Sequence, residues 1–287
     1  MTPRPAIRVR GLEKTFAPAP RLAELLRPWR PRRRIRALAG VDLSVAGGEL
    51  VALVGPNGAG KTTLLQVLAD LVAPDRGAVE VEGARGGRRG RVGYVLAEER
   101  SFWFRLRVEE NLRFFATLEG MSRRAASARI AGLAELLGLE RLLGQRFAEL
   151  SQGQKQRVGI ARGLLPDPPV LLFDEATRAL DPGRARGLRR LVREVLVERE
   201  RKAVLFATHQ LEEAEALADR TALLVEGRVA AEGPFSSVRA EVEAAFSREA
   251  EAEDAALARI LGAPRIKGPG AEGRAGAKTG AGAKTGA

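Results

Sequence analysis

The chain has 287 residues, enough for one large or two modest domains, and its apolar and charged content is that of a globular protein. It has no cysteine, which excludes thiol chemistry, disulfides and cysteine metal sites. No apolar run approaches the roughly 18 residues of a membrane span. The net charge of +12 is concentrated at the ends: residues 1–36 hold eleven Lys/Arg against Glu13 and Glu24, residues 263–287 hold five against Glu272, and the body between is within one charge of neutral. That distribution favours local basic contacts, lipid head groups among them, over a basic groove for nucleic acid, and no nucleic-acid partner is expected. Met1 to Arg10 lacks the apolar core of a signal peptide, so the cytoplasm is the expected location.

Ile7 to Gly11 alternates apolar and basic residues and predicts an edge strand. Leu22, Leu25, Leu26 and Trp29 then fall on one face of a short helix, followed by Arg30, Arg32, Arg33, Arg34 and Arg36. Such a segment suits contact with a membrane surface or a partner helix, and equally a surface helix packed on its own domain with solvated arginines. Val41 to Val45 predicts a strand closed by Gly47-Gly48.

Glu49 to Val54 reads as a buried strand, and Leu64 to Ala69 as a helix. Between them stands Gly55-Pro56-Asn57-Gly58-Ala59-Gly60-Lys61-Thr62-Thr63, a phosphate-loop pattern in the strand–loop–helix context it requires. Its glycines let successive N–H groups turn inward on an anion, and the helix start adds partial positive charge. Lys61 is placed to bridge β- and γ-phosphates, and Thr62 to ligate Mg²⁺. Strands follow at 78–81 and 92–96, and from Val108 to Leu165 the periodicity is helical, which predicts an inserted helical subdomain.

Val170 to Asp174 is a second buried strand. Asp174 and Glu175 at its end are candidates for holding Mg²⁺ and polarising an attacking water; two acids there would also suit a helix N-terminus. Helix is expected over Arg184–Arg199 and strand over Ala203–Thr208. His209, the only histidine, follows that third strand, where an imidazole can meet a γ-phosphate or its attacking water. Ser151 and Gln154 form a capping box at the start of the helix 155–165, and that helix start, with Gly153, can also face an anion. Phe235, Val238, Val242 and Phe246 predict a further amphipathic helix towards Leu261. Strands alternating with helices give an α/β fold with a mostly parallel sheet. Asn57 and Asn111 are the only asparagines, so there is no Asn-Lys-x-Asp guanine-reading motif.

These residues carry a resemblance. The phosphate loop, then Leu150-Ser151-Gln152-Gly153-Gln154, then the Val170–Glu175 strand with Ala176-Thr177, then Ala179-Leu180-Asp181 and Thr208-His209, in this order, resemble the ATP-binding subunit of ABC transporters over residues 7 to 235. The resemblance implies a P-loop ATPase with an antiparallel β part, spanning 1–235, with a basic insert at 17–36 and a helical subdomain at 98–165. Beyond the resemblance, periodicity and composition predict a helical extension at 236–265 and a disordered tail at 266–287. The resemblance implies that Phe16 stacks on adenine, that loop residues Gly55, Pro56, Asn57, Gly58, Ala59, Gly60, Lys61, Thr62 and Thr63 bind ATP, and that Ser151, Gly153 and Gln154 contact the nucleotide of an opposite subunit in a head-to-tail dimer. Glu175 would be the general base, Asp181 the dimer-communicating aspartate, and His209 the γ-phosphate switch. The partner would be a separate integral-membrane permease, and the place of work the cytoplasmic face of the membrane. Glu98 stands where the family usually has glutamine; its carboxylate can join Thr62 and Asp174 on Mg²⁺ but cannot donate the amide's hydrogen bond. The insert and Glu98 to Phe102 look more like ATPases of ABC-2-type exporters than of importers.

Overall fold

A computed structural model describes residues 5–17, 34–82, 91–96, 101–177 and 180–261, with side chains to residue 257. The helix expected at 22–29, the turn at 83–90, Glu98, Ala179 and the tail beyond 261 lie outside these residues. Two units are distinguished, residues 1–249 and 250–287.

The first unit holds two sheets. A three-stranded antiparallel sheet has the order β2–β1–β4, formed by β1 (Pro5–Phe16), β2 (Ile35–Ala46) and β4 (Arg76–Val81). The edge strand expected at Ile7–Gly11 is therefore central: β2 pairs with one side of it and β4 with the other. Alternation reports which faces are buried, here Ile7 and Val9, and says nothing about neighbours in the hydrogen-bonding direction.

The second sheet has six strands in the order β5–β6–β7–β3–β8–β9. These are β3 (Leu50–Val54), β5 (Val92–Leu96), β6 (Val170–Asp174), β7 (Ala203–Thr208), β8 (Arg220–Val225) and β9 (Arg228–Gly233). The first five run parallel and β9 is antiparallel. Every residue of β3, β6 and β7 is buried, as expected for parallel strands covered on both faces. The register aligns their C-terminal ends: Val54 pairs with Thr208, and Asp174 with both Ala207 and Leu96. Whatever follows each of these strands must emerge along one edge.

Helix α1 (Lys61–Leu68) buries Leu64, Leu65, Val67 and Leu68 in a core shared with β1, β2 and β3. A second core joins the other face of the large sheet to α2 (Val108–Leu118), α3 (Arg123–Leu137) and α4 (Gln152–Leu164). Helix α4 lies close against β5 because both contribute glycine at the crossing. A Cβ on Gly93 would stand 2.4 Å from the Gly163 carbonyl oxygen. Helix α5 (Pro182–Arg190) begins two residues before the expected start, with Asp181 as its cap and Pro182 in its first turn, and continues as π-helix through Arg199. Helix α6 (Leu211–Leu217) joins β7 to β8, and α7 (Phe235–Leu261) buries Phe235, Val238, Val242 and Ala245 against β3 and β8. Among the described residues no helix is long and apolar enough to cross a membrane.

Candidate functional site

The loop between β3 and α1 turns through left-handed glycines, Gly58 (φ +76°) and Gly60 (φ +105°). At Gly60 no larger residue fits, because a Cβ would come within 2.4 Å of the Ala37 carbonyl oxygen. Helix α1 then starts without a side-chain cap, which leaves its first N–H groups for an anion. Lys61 folds back over the loop, donating to the carbonyls of Gly55 (2.5 Å) and Pro56 (2.9 Å). Burial pushes the Lys61 ammonium below its ordinary pKa, opposed by the charges of Glu175, Glu249 and Asp174. A cleft of about 330 Å³ is lined by Phe16, Arg36, residues 57–63 and Glu175.

Along the aligned strand ends the acids and the histidine meet the loop. Asp174 accepts from Thr62 Oγ1 (3.3 Å) and from the Tyr94 hydroxyl (2.8 Å). Burial raises its pKa, and those two hydrogen bonds oppose the rise. Thr62 and Asp174 are both oxygen donors and face each other across the loop, a set suited to a hard cation that keeps most of its ligands as water and phosphate. Among the described residues no three His, Cys, Asp or Glu side chains cluster as a metal cage.

Glu175 adopts a left-handed backbone (φ +48°), unusual for a side chain of its size, and its N–H is fixed to the Ala207 carbonyl (3.0 Å). The turn carries its carboxylate over the sheet edge, where Oε1 lies 3.4 Å from His209 Nδ1. The structure thus brings together Phe16, the loop 55–63, Asp174, Glu175 and His209.

Ser151, Gly153 and Gln154 are not part of that cleft. Ser151 caps α4, with reciprocal bonds to Gln154 (2.7 and 3.4 Å), and the three line a separate cavity of about 410 Å³ with Leu137, Leu180 and Arg184. Asp181 accepts from the Arg184 N–H (3.0 Å) and pairs with its guanidinium. Glu98 lies outside the described residues.

Two site residues escape sequence reading. Tyr94 reaches Asp174 from the neighbouring strand; the available signal is that a half-buried tyrosine hydroxyl needs a partner. Glu249 of α7 accepts the Asn57 N–H at 2.5 Å from 192 residues away, and no local pattern marks it.

Comparison with known proteins identifies the family. The family described as ABC transporter matches residues 38–178. The chain is 34% identical over 212 residues to the ABC transporter ATP-binding protein NatA of Bacillus subtilis, covering 72% of this chain and 85% of that protein. It is 35% identical over 270 residues to the methionine import ATP-binding protein MetN of Bordetella pertussis, covering 88% and 70%. It is 40% identical over 210 residues to the Nod factor export ATP-binding protein I of Burkholderia orbicola, covering 71% and 68%. Among solved structures it resembles the ATP-binding cassette MJ0796 in a dimeric post-hydrolysis state with ADP and Pi (27% identity, TM-score 0.64, 79% and 98% covered). The fold is also that of cbiO1 from Clostridium perfringens, part of the transporter complex cbiONQ (24% identity, TM-score 0.68, 90% and 99% covered). The P-loop α/β fold, the phosphate loop at the parallel-sheet edge and these likenesses together place the chain in the ABC transporter family, as an ATP-binding subunit whose ATP hydrolysis is coupled to transport.

Proposed function

We propose that this chain is the peripheral ATPase subunit of an exporter whose membrane-spanning permease is a separate polypeptide, working as a head-to-tail homodimer on the cytoplasmic face of the membrane. The observation that carries the reading is the division of the site. Lys61, Asp174, Glu175 and His209 converge at one sheet edge, while Ser151 and Gly153 line a different cavity of the same chain. A second copy supplies what the first lacks. The dimer reported for the MJ0796 cassette is consistent with this arrangement.

In this reading Phe16 stacks on the adenine, and the loop Gly55–Gly60, through the N–H groups of every residue but Pro56, with Lys61, Thr62 and Thr63 holds the phosphates. Thr62 and Asp174, with Glu98, hold Mg²⁺, which when bound supplies neutralisation of phosphate charge. Glu175 accepts the proton of the attacking water and His209 orients the γ-phosphate end. Ser151, Gly153 and Gln154 contact the nucleotide across the interface, and Asp181 reports its state to the partner copy.

The face offered to the permease is the apolar surface around α2. Trp103, Phe104, Phe114 and Leu118 are exposed, and the Trp103 and Phe114 rings meet edge to face at 4.2 Å. Buried Asn111 holds this surface in place, accepting from the Trp103 N–H (2.9 Å) and donating to its carbonyl (3.1 Å). Export is favoured by the basic insert at 17–36, read as a membrane-surface contact, and by the 40% identity to a Nod factor export protein.

Specific ATPase activity should fall steeply when the purified chain is diluted from micromolar to nanomolar concentration, and recover on reconcentration. A rate per chain independent of concentration, from chains shown to be single, overturns the shared-site reading.

The Glu249 contact sets a second expectation. Its carboxylate occupies the Asn57 N–H and adds negative charge beside Lys61, where phosphate must arrive. Glu249→Gln should tighten ATP binding about fivefold at low salt, the scale of one screened unit charge at contact. The gain should shrink at high salt. Equilibrium titration with a fluorescent ATP analogue at two salt concentrations measures both.

A further inference from the structure

One carboxylate in the large-sheet unit is completely enclosed and belongs to none of the groups assigned above. Glu213, on α6, has no exposed surface. Its Oε2 accepts from two hydroxyls, Thr177 Oγ1 and Thr208 Oγ1, each at 2.8 Å. Its Oε1 has no hydrogen bond and lies 3.6 Å from Nη1 of Arg189. The three partners come from three elements. Thr177 is two residues past Glu175. Thr208 immediately precedes His209, and its hydroxyl oxygen also accepts the Gln210 N–H at 3.0 Å. Arg189 lies on α5, the helix that Asp181 caps.

We propose that Glu213 is a positioning residue for hydrolysis: one buried negative charge that holds the turns carrying Glu175 and His209 in register and ties both to the helix headed by Asp181. This rests on the roles given above to Glu175 and His209.

The physical reason is the cost of an enclosed charge. A buried carboxylate is tolerated only while its donors stay in place, so displacement of any one turn leaves charge unpaired. Each threonine hydroxyl has a single proton, and both protons are committed to the same oxygen. Thr177 and Thr208 therefore cannot separate without one of them giving up its bond. Glu175, two residues before Thr177, and His209, next to Thr208, keep their 3.4 Å approach by the same constraint. The strained φ of Glu175 needs such an outside hold, because the turn would otherwise relax. The Arg189 side is the weakest link, since Oε1 has the ion pair and no hydrogen bond. That makes α5 the element most free to move when a partner copy presses on Asp181.

The experiment compares kcat, the dissociation constant for an ATP analogue and the melting temperature across four variants. Glu213→Gln keeps an oxygen for the two threonines but turns an amide N–H₂ toward Arg189. Thr177→Val removes one donor, and Thr177→Ser restores it. Glu175→Gln is run beside them. The expected result is a kcat lowered about 10- to 100-fold in Glu213→Gln and in Thr177→Val, the range for groups that orient a reacting residue. ATP-analogue binding should stay within about twofold, because the phosphate loop is untouched, and Thr177→Ser should run near the wild-type rate. Wild-type kcat in Glu213→Gln, or equal rates in Thr177→Val and Thr177→Ser, overturns the proposal. So does a loss of kcat matched by an equal loss of nucleotide binding, which would mark a purely structural carboxylate. If Glu213→Gln does not fold, the threonine pair decides alone. A fully active Glu175→Gln would instead defeat the reading on which the proposal stands. An inactive Glu175→Gln beside active Glu213→Gln and Thr177→Val defeats only the role of Glu213.

Discussion

Glu175→Gln is expected to lower ATP turnover by roughly 10²- to 10⁴-fold, the contribution of a positioned general base, while ATP binding is retained. The amide has the shape of the carboxylate, so the turn fixed by the Glu175 N–H to the Ala207 carbonyl persists. It cannot take a proton from water, which is the role proposed for Glu175. Electrostatics at the loop move the opposite way from catalysis. Glu175 is among the acids whose charge raises the Lys61 pKa against the effect of burial, so its removal relieves negative charge where a triphosphate docks. Binding should therefore hold or tighten as hydrolysis fails. With hydrolysis blocked, the ATP-bound pair of subunits should accumulate and run as a dimer on size exclusion at low salt. Two results would sink this: turnover near the wild-type rate, or a single-chain species in saturating ATP.

How much of this architecture is legible in the amino-acid order depends on the range of each interaction. The loop 55–63 and the apolar strands 50–54, 170–174 and 203–208 are local patterns, and each matches its element within a residue or two. The acids at 174–175 and the histidine at 209 are legible for the same reason, because strand ends in a parallel sheet share an edge. Contacts made across the sheet or between distant segments are not. The central place of β1 depends on a partner more than 60 residues on, and alternation is blind to it. Tyr94 meets Asp174 across 80 residues, and Glu249 meets Asn57 across 192. Glu213 reads as one more acid in a polar helix start; only the fold reveals that two hydroxyls and a guanidinium from separate elements close over it. The positive φ of Glu175 is likewise invisible, since nothing in a glutamate calls for a left-handed turn.

Phe147→Ala should be the most destabilising of the substitutions considered, and its effect should fall unevenly on the two halves of the site. Phe147 is fully buried, stacks on Phe102 at 4.4 Å and meets Phe104 edge to face at 5.7 Å. Truncating such a ring costs about 3–5 kcal/mol, transfer and cavity together. In a domain of this size that is a fall in melting temperature of about 10 °C. The segment concerned is held at both ends. The Phe147 N–H donates to the Leu106 carbonyl (3.0 Å) and the Ala148 N–H to the Phe104 carbonyl (3.0 Å), three residues before Ser151 caps α4. Lys155, one turn into that helix, lies over both the Phe104 and Phe147 rings at 5.5 and 5.7 Å. A cavity here loosens the start of α4 and the aromatic surface around α2 together. The phosphate loop packs through Leu53, Leu64 and Leu65 in the other core and does not share the cavity. ATP-analogue affinity of the folded variant should therefore stay within about twofold while kcat drops several-fold, because in the proposed shared site only the step assigned to Ser151 is disturbed. Phe147→Leu should recover most of the melting temperature, since it refills most of the volume. Calorimetry and nucleotide titration on the two variants make the comparison. Equal losses of affinity and turnover in Phe147→Ala would show that the helical layer and the phosphate loop behave as one cooperative body, and that α4 has no separate part in the hydrolytic step.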